Sequence, residues 1–173
     1  RVEVLEQLLE DVGLIDFGND ILPHAVNSSM RVAGHLFGGY WEDIGTVASF
    51  YEANIQLCSD DPPFRFYEPT APIYTRARFL PPAVIRDITI ERGFIADGCL
   101  IFGAHVSNSV LGIRTRMEPG SRIADSVVLG ADYFETDDAR AKLLSQGRIP
   151  IGIGENASIR RAIIDKNARI GPG

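Results

Sequence analysis

The feature that most constrains the fold of this chain is a repeat of about six residues beyond position 87. Its large aliphatic residues are Ile95, Ile101 and Val106, followed further along by Ile153, Ile159, Ile164 and Ile170. Small residues follow several of these by four positions, as Cys99 follows Ile95. This spacing matches neither an α-helix nor an alternating strand. It is typical of a hexapeptide β-solenoid, in which each short strand forms one face of a triangular coil. We therefore predict such a solenoid over residues 87–173.

One passage interrupts the repeat. Residues 130–154 read GADYFETDDARAKLLSQGRIPIGIG, and Ala139 to Leu144 within them form a charged, helix-prone stretch. We predict that this passage leaves the solenoid and returns to it. The spacing between Gly112 and Leu129 is also irregular, and we take Ile113, Ile123 and Leu129 as its inward-facing positions.

The first half of the chain lacks this repeat. Apolar residues at helical spacing predict a helix over residues 1–12 that ends at Gly13. Residues 30–37 read as a strand, and a second helix begins near Thr46. Prolines at positions 62, 63, 69, 72, 81 and 82 exclude a long helix from residues 58–86. We predict one domain over residues 1–57, a proline-rich linker over 58–86 and the solenoid over 87–173.

Composition narrows the classes of partner. The net charge of −6 argues against general nucleic-acid binding, and no apolar run reaches the ~18 residues of a membrane span. Residues 148–173 nevertheless carry five basic side chains against two acidic ones. A basic end on an acidic chain suggests a small anionic ligand rather than a polymer.

The cysteines and histidines show no ligand pattern. Cys58 and Cys99 have neither metal-site nor disulfide spacing, so we interpret them as buried thiols in a reducing compartment. His24, His35 and His105 stand apart from Cys or acidic residues at ligand spacing, and we expect ordinary polar roles for them.

The segment GGYWEDIGT, residues 38–46, is the first candidate for chemistry. A carboxylate such as that of Asp43 suits Mg²⁺, which often binds through one or two carboxylates together with substrate phosphates. Gly45 would let the backbone approach a sugar or phosphate closely, and Thr46 could cap the following helix. The alternative is that Asp43 merely caps that helix. The pattern alone leaves both interpretations open.

Several motifs in the same order resemble one family. GYWEDIGT, FYEANI, APIYTRARFLPP, GADYFETD, PIGIG and RAIIDKNARIG together closely resemble the ADP-glucose pyrophosphorylases, with the plant and cyanobacterial type nearer. The similarity runs from about Asp16 to Gly173. It implies the C-terminal portion of an α/β nucleotidyltransferase domain followed by a left-handed parallel β-helix of hexapeptide repeats.

The resemblance also implies a reaction. ATP and glucose 1-phosphate would give ADP-glucose and pyrophosphate, with Mg²⁺ as cofactor. Asp43 would be the catalytic, metal-binding aspartate, and Trp41, Glu42 and Gly45 would line the sugar-phosphate end of the pocket. The family's other metal aspartate, its Gly-rich nucleotide loop and its sugar-binding Glu-Lys pair would lie upstream of Arg1. We therefore expect a longer parent protein and no activity from these 173 residues alone.

A regulatory anion site is implied as well, for 3-phosphoglycerate as activator or phosphate as inhibitor. Lys166 and Arg169 match activator-contacting positions, Arg78 matches a position tied to inhibition, and Asp165 lies beside the site. Arg and Lys are good donors to such anions. The alternative is that Lys166 and Arg169 are solvated residues on β-helix corners. The resemblance further implies a homo- or heterotetramer in a plastid stroma or a bacterial cytoplasm.

Three other functions remain open at this point. A hexapeptide-repeat acyltransferase would use a histidine on a coil, for which His105 is the candidate. Another sugar-nucleotide pyrophosphorylase, acting on GDP-mannose or UDP-glucose, would share the GYWEDIGT segment. A regulatory or oligomerisation module without activity would need only residues 87–173.

Overall fold

The structure, a computed structural model, describes residues 2–10 and 12–173. The chain divides into two compact units, Arg1–Gly39 and Tyr40–Gly173. None of the helices in the described part of the chain is long and apolar enough to cross a membrane.

The first unit is a small helical assembly. Helix α1 spans Val2–Leu9, and a π-helical turn, Phe17–Ile21, leads directly into α2, Leu22–Asn27. Asp16 caps the π-helical turn, because its side chain accepts a hydrogen bond of 2.6 Å from the backbone N–H of Asn19. The buried residues of this unit form one apolar cluster, which consists of Leu8, Ile21 and Ala25 with Leu14 and Met30 packed against them.

Two predictions for this region need correction. The helix predicted over residues 1–12 is present over Val2–Leu9, so it ends before Gly13; positions 1 and 11 lie outside the described residues. The strand predicted over residues 30–37 is wrong, because that segment has no regular secondary structure. A strand needs a neighbour for its backbone hydrogen bonds, and the described residues of this unit contain no other strand.

The second unit begins with one helix and continues as a coil of short strands. Helix α3 spans Val47–Gln56 and confirms the helix predicted from Thr46 onward. The strands are β1 Val84–Arg86, β2 Thr89–Ile90, β3 Gly93–Ile95, β4 Leu100–Phe102, β5 His105–Ser107, β6 Ser109–Leu111, β7 Arg116–Met117, β8 Arg122–Ala124, β9 Val127–Val128, β10 Gly152–Ile153, β11 Ser158–Arg160, β12 Ile163–Ile164 and β13 Arg169–Ile170. Strand β1 lies inside residues 58–86, so the solenoid begins at Val84, three residues earlier than predicted.

The strands form three parallel sheets, one for each face of a triangular β-helix. Their orders are β1-β4-β7-β10-β13, then β2-β5-β8-β11, then β3-β6-β9-β12. Each strand therefore pairs with the strand one full coil away. This arrangement confirms the hexapeptide solenoid predicted from the repeat.

Columns of aliphatic side chains fill the interior. In the first sheet Ile101 pairs with Met117 and Met117 with Ile153, and all three are buried. Val106 and Ile123 form the second column. The predicted inward positions Ile101, Val106, Ile123 and Ile153 are thereby confirmed.

Two predicted inward positions are wrong. Ile113 and Leu129 are only half-buried, and the column of the third sheet instead contains Leu111 paired with Val128. Ile113 falls in the turn between β6 and β7, outside the strands whose side chains fill the column. Leu129 directly follows the inward Val128, and successive side chains of extended backbone point to opposite faces.

The interruption of the repeat is also present. Between β9 and β10 the chain leaves the solenoid and forms helix α4, Asp137–Ser145. The Thr136 side chain caps this helix by accepting a hydrogen bond of 3.2 Å from the Ala139 N–H. We call residues 131–151 the excursion.

Candidate substrate loop and anion site

The loop before α3 is organised by short-range hydrogen bonds. Asp43 Oδ1 accepts a hydrogen bond of 2.9 Å from the Gly45 N–H, which closes a tight turn. Thr46 is the N-cap of α3, since its hydroxyl accepts from the Ser49 N–H at 3.1 Å while Ser49 Oγ accepts from the Thr46 N–H at 3.1 Å. The expected cap at Thr46 is confirmed, and the alternative that Asp43 caps the helix is wrong.

Gly45 has a steric role in this turn. A Cβ atom at this position would lie 3.1 Å from Asp43 Oδ1, so a larger residue would crowd the carboxylate and require it to shift slightly. Trp41, Glu42 and Asp43 are all exposed, and Trp41 retains 75% of its accessible surface. The turn therefore presents one oriented carboxylate to the outside.

The donor set of this turn can be compared with the needs of Mg²⁺. Apart from the bond to Gly45, no hydrogen bond or ion pair to the Asp43 carboxylate is found within residues 2–10 and 12–173. Those residues also contain no group of three or more His, Cys, Asp or Glu side chains that could hold a metal ion. A single free carboxylate oxygen fits an ion that is bound mostly by phosphates and water.

A row of aromatic rings joins this loop to the β-helix, and sequence reasoning did not anticipate it. Tyr40 stacks on Phe64 with ring centroids 6.4 Å apart. Phe64 meets Phe66 edge-on at 5.4 Å, and Phe66 meets Phe94 of β3 at 5.5 Å. Such pairs contribute about 0.5–1.5 kcal/mol each beyond burial. The loop and the first coil are thus connected through residues of the predicted linker.

Helix α3 is itself tied to a β-helix corner. The Tyr51 hydroxyl donates a hydrogen bond of 2.6 Å to the backbone carbonyl of Asp125. The Asp125 carboxylate accepts from Asn108 Nδ2 at 2.8 Å and lies 3.4 Å from Arg160 Nε. The Asn108 hydrogen bond, with a smaller contribution from Arg160, lowers the pKa of Asp125 against the opposing effect of partial burial.

The predicted effector residue Lys166 lies on the turn between β12 and β13. Its Nζ is 2.9 Å from Asp132 Oδ1, and Asn167 Nδ2 donates to Asp132 Oδ2 at 2.9 Å. These hydrogen bonds lower the pKa of Asp132, and the one from Lys166 has the largest effect. The exposed Asp165 accepts the Lys166 N–H at 2.7 Å through its side chain, which helps to fix the turn.

Arg169 contacts the same excursion. It donates to Glu135 Oε1 at 2.5 Å and to the Ile149 carbonyl at 2.8 Å. Glu135 is almost buried, with 7% of its side chain exposed; it also accepts the Ile151 N–H at 2.8 Å and lies 3.6 Å from Arg140. Both predicted effector cations therefore meet carboxylates of the GADYFETD motif, Asp132 and Glu135, whose role sequence reasoning missed.

Gly130, the first residue of the GADYFETD motif, has a structural role that only glycine fills. Gly130 has φ of +87°, and a Cβ atom there would clash with the Ile113 carbonyl. Only glycine meets both conditions easily. It allows the chain to turn out of the solenoid, so that Asp132 arrives opposite Lys166.

Arg78 lies elsewhere among the described residues. It is exposed, its Nη1 is 3.4 Å from the Arg76 carbonyl, and it lines a concavity of about 340 Å³ together with Asp97 and Ile113. Among the described residues, Arg78 shares none of the carboxylate partners of Lys166 and Arg169, which are Asp132 and Glu135. The effector roles of Arg78, Asp165, Lys166 and Arg169 stay predictions.

The histidine proposed for acyl transfer sits on a strand. His105 Nε2 is 4.0 Å from Glu91 Oε1, and His105 is the first residue of β5 in the second sheet.

Cys58 and Cys99 are buried, and burial raises the pKa of both thiols, which keeps them protonated.

The three-faced parallel β-helix, with the loop and α3 before it, fits a class in which the end of a nucleotidyltransferase domain is joined to a β-helix domain, and two family models identify that class. A nucleotidyl transferase family model matches residues 2–60, and a model described as the GLGC left-handed parallel β-helix domain matches residues 78–173. The chain is 46% identical over 171 residues to the glucose-1-phosphate adenylyltransferase small subunit, chloroplastic/amyloplastic, of Triticum aestivum.

That alignment covers 97% of this chain and 36% of the relative. The chain belongs to the ADP-glucose pyrophosphorylase family. The predicted family and fold class, including the left-handed β-helix, are confirmed. Family membership gives no support to the acyltransferase alternative.

Proposed function

We propose that the complete protein carrying this segment is a glucose-1-phosphate adenylyltransferase, which converts ATP and glucose 1-phosphate to ADP-glucose and pyrophosphate. The similarity to the wheat glucose-1-phosphate adenylyltransferase small subunit supports this reaction. The observation that carries the proposal is the Asp43 carboxylate, which accepts from the Gly45 N–H and has no second partner among residues 2–10 and 12–173, so that it can face phosphates.

Asp43 would hold Mg²⁺, which neutralises phosphate charge and orients the phosphates when bound. Gly45 keeps the carboxylate in place because any larger residue would press on it. Trp41 and Glu42 would border the sugar phosphate on the exposed side of the same turn. Phosphoryl chemistry of this kind depends mainly on positioning and charge neutralisation, and positioning is what this turn supplies.

Anion control is part of the proposal. Lys166 and Arg169 would bind the activator 3-phosphoglycerate, Arg78 would contribute to inhibition by phosphate, and Asp165 would shape the Lys166 turn. The wheat relative is a small subunit of chloroplasts or amyloplasts, which supports a plastid stroma as the compartment and an assembly of more than one subunit. A homo- or heterotetramer is the assembly proposed for the complete protein.

The test is Asp43→Asn in the complete protein. Because Asn keeps the size but loses the charge, we expect activity at limiting Mg²⁺ to fall on the order of 100-fold or more, with a higher Mg²⁺ requirement. Asp60→Asn, which neutralises an exposed carboxylate elsewhere, is the control and should leave both unchanged. Equal turnover by Asp43→Asn and wild type would refute the role of Asp43. Comparable rates with GTP or UTP would refute the assigned substrate.

A further inference from the structure

The Asp132 carboxylate occupies the donors that an effector anion would need. Its two oxygens accept from Lys166 Nζ and from Asn167 Nδ2, both at 2.9 Å. Donors that converge on one carboxylate can equally hold the carboxylate or phosphate of a small ligand. In this structure the lysine of the proposed anion site is therefore already paired with an anion from its own chain.

We propose that Asp132 is a built-in competitor of the effector: its carboxylate must leave Lys166 before 3-phosphoglycerate or phosphate can bind there. This inference rests on the proposed function of Lys166 as an effector residue. It adds a regulatory role for the first acidic residue of the GADYFETD motif.

The exposure of the Asp132–Lys166 pair, together with two general properties of such pairs and of phosphate, makes it open to displacement by an anion. About half of each side chain, 46% of Lys166 and 53% of Asp132, is exposed, so an anion from solvent can reach the pair. Exposed pairs of this kind contribute only about 0.2–1 kcal/mol. A phosphate dianion carries more charge and more acceptor oxygens than one carboxylate, so it is able to displace the side chain.

The backbone around Asp132 is held without the carboxylate. The Asp132 N–H donates to Asn167 Oδ1 at 2.9 Å, and the preceding Ala131 is buried with its N–H bonded to the Ile113 carbonyl. Release of the carboxylate therefore requires only rotation of one side chain. Glu135 differs, since it is nearly buried and also accepts the Ile151 N–H, so we assign the competing role to Asp132 alone.

The experiment is calorimetric titration of the complete protein with inorganic phosphate and, separately, with 3-phosphoglycerate. Asp132→Asn retains the size and one acceptor oxygen but removes the charge. We expect it to bind both anions about two- to five-fold more tightly, the range that loss of an exposed ion pair allows. The matched control is Asp138→Asn, which removes the same charge from an exposed position six residues along the excursion and should bind like wild type.

The variant Lys166→Gln tests the effector role of Lys166 separately from the competing role of Asp132. Weaker binding by Lys166→Gln together with tighter binding by Asp132→Asn supports the proposal. Weaker binding by Lys166→Gln with no difference between Asp132→Asn and Asp138→Asn overturns the competitor and leaves the effector site in place. Unchanged binding by Lys166→Gln overturns the effector site itself, and the inference with it.

The proposal can also be tested in the wild-type protein, without any substitution. The Asp132 pKa is held low by Lys166 and Asn167, so displacement of its carboxylate by an anion should raise that pKa. Carboxyl NMR titration with and without saturating sulfate, which stays charged across the range, measures this change. A pKa that sulfate leaves unaltered would overturn the proposal.

Discussion

The Tyr51 hydroxyl donates a hydrogen bond of 2.6 Å to the backbone carbonyl of Asp125, 74 residues further along the chain. Tyr51 lies on α3, whose first turn follows the Asp43–Gly45 turn directly. Asp125 lies at a β-helix corner with φ of +47°. Although residues 40–57 match the nucleotidyl transferase model by sequence, they belong to the same compact unit as the β-helix.

Tyr51→Phe should weaken this attachment. The change removes one hydrogen bond and leaves a partly buried carbonyl without its donor, which costs about 1 kcal/mol of unfolding free energy. Denaturant unfolding followed by circular dichroism measures the loss. Tyr133→Phe is the control, because no hydrogen bond of the Tyr133 hydroxyl occurs within the described residues; equal stability of the two variants would contradict the prediction.

The columns of aliphatic side chains predict that the stability lost on truncating an isoleucine increases with its burial. Ile123 is completely buried in the second sheet, whereas Ile90, on the outermost strand of that sheet, is 42% exposed. Ile123→Ala should cost about 3 kcal/mol because it leaves a cavity that the packed coils cannot fill. Ile90→Ala should cost about 1 kcal/mol, since water already reaches that side chain. Thermal and denaturant unfolding of both variants provide the comparison.

Buried serines support one corner of the β-helix. Ser126 Oγ donates to the Ala124 carbonyl at 2.7 Å and accepts the Ala162 N–H at 3.2 Å, and Ser126 is fully buried. Ser126→Ala should cost about 1 kcal/mol, because it takes away the acceptor of the half-buried Ala162 N–H, whereas the Ala124 carbonyl still accepts from the Arg161 N–H at 3.1 Å. The exposed Ser158→Ala in β11 should be nearly neutral. A neutral Ser126→Ala would contradict this assignment.

The lowered pKa of Asp125 predicts that this residue contributes to the loss of stability in acid. Its folded-state pKa lies below the ordinary value of 3.8, chiefly because of the Asn108 hydrogen bond. The stability it contributes is therefore present above that ordinary value and is lost as the pH falls through the lowered pKa. In Asp125→Asn, which tolerates the same positive φ, the unfolding free energy should decline less over this acidic range.

Unfolding curves at several pH values below about 4 test this expectation. The control is Asp87→Asn, at another corner with φ of +52° and with no side-chain hydrogen bond found in the described part of the chain. If the unfolding free energy of Asp125→Asn declines with falling pH as steeply as that of wild type, other carboxylates cause the acid sensitivity.

Some of this molecule could be read from the residues alone. The step of five from Ile101 to Val106, and the steps of six and five from Ile153 through Ile159 to Ile164, identify the β-helix. One coil has three faces, and each face needs one inward aliphatic side chain. Thr46 signals its cap through local hydrogen bonding alone. The motif series up to RAIIDKNARIG was enough to place the chain in its family.

Tertiary contacts decided the rest. The strand expected over residues 30–37 failed for lack of a partner. Leu111 and Val128 take the inward positions expected for Ile113 and Leu129, because Ile113 falls in the turn after β6 and Leu129 alternates with its buried neighbour Val128. The pairing of Lys166 with Asp132 spans 34 residues and depends on how the excursion returns to the coil. Periodicity and capping are local properties that a sequence displays directly. Which carboxylate meets which cation is set by the packing of distant coils, so only the folded chain determines it.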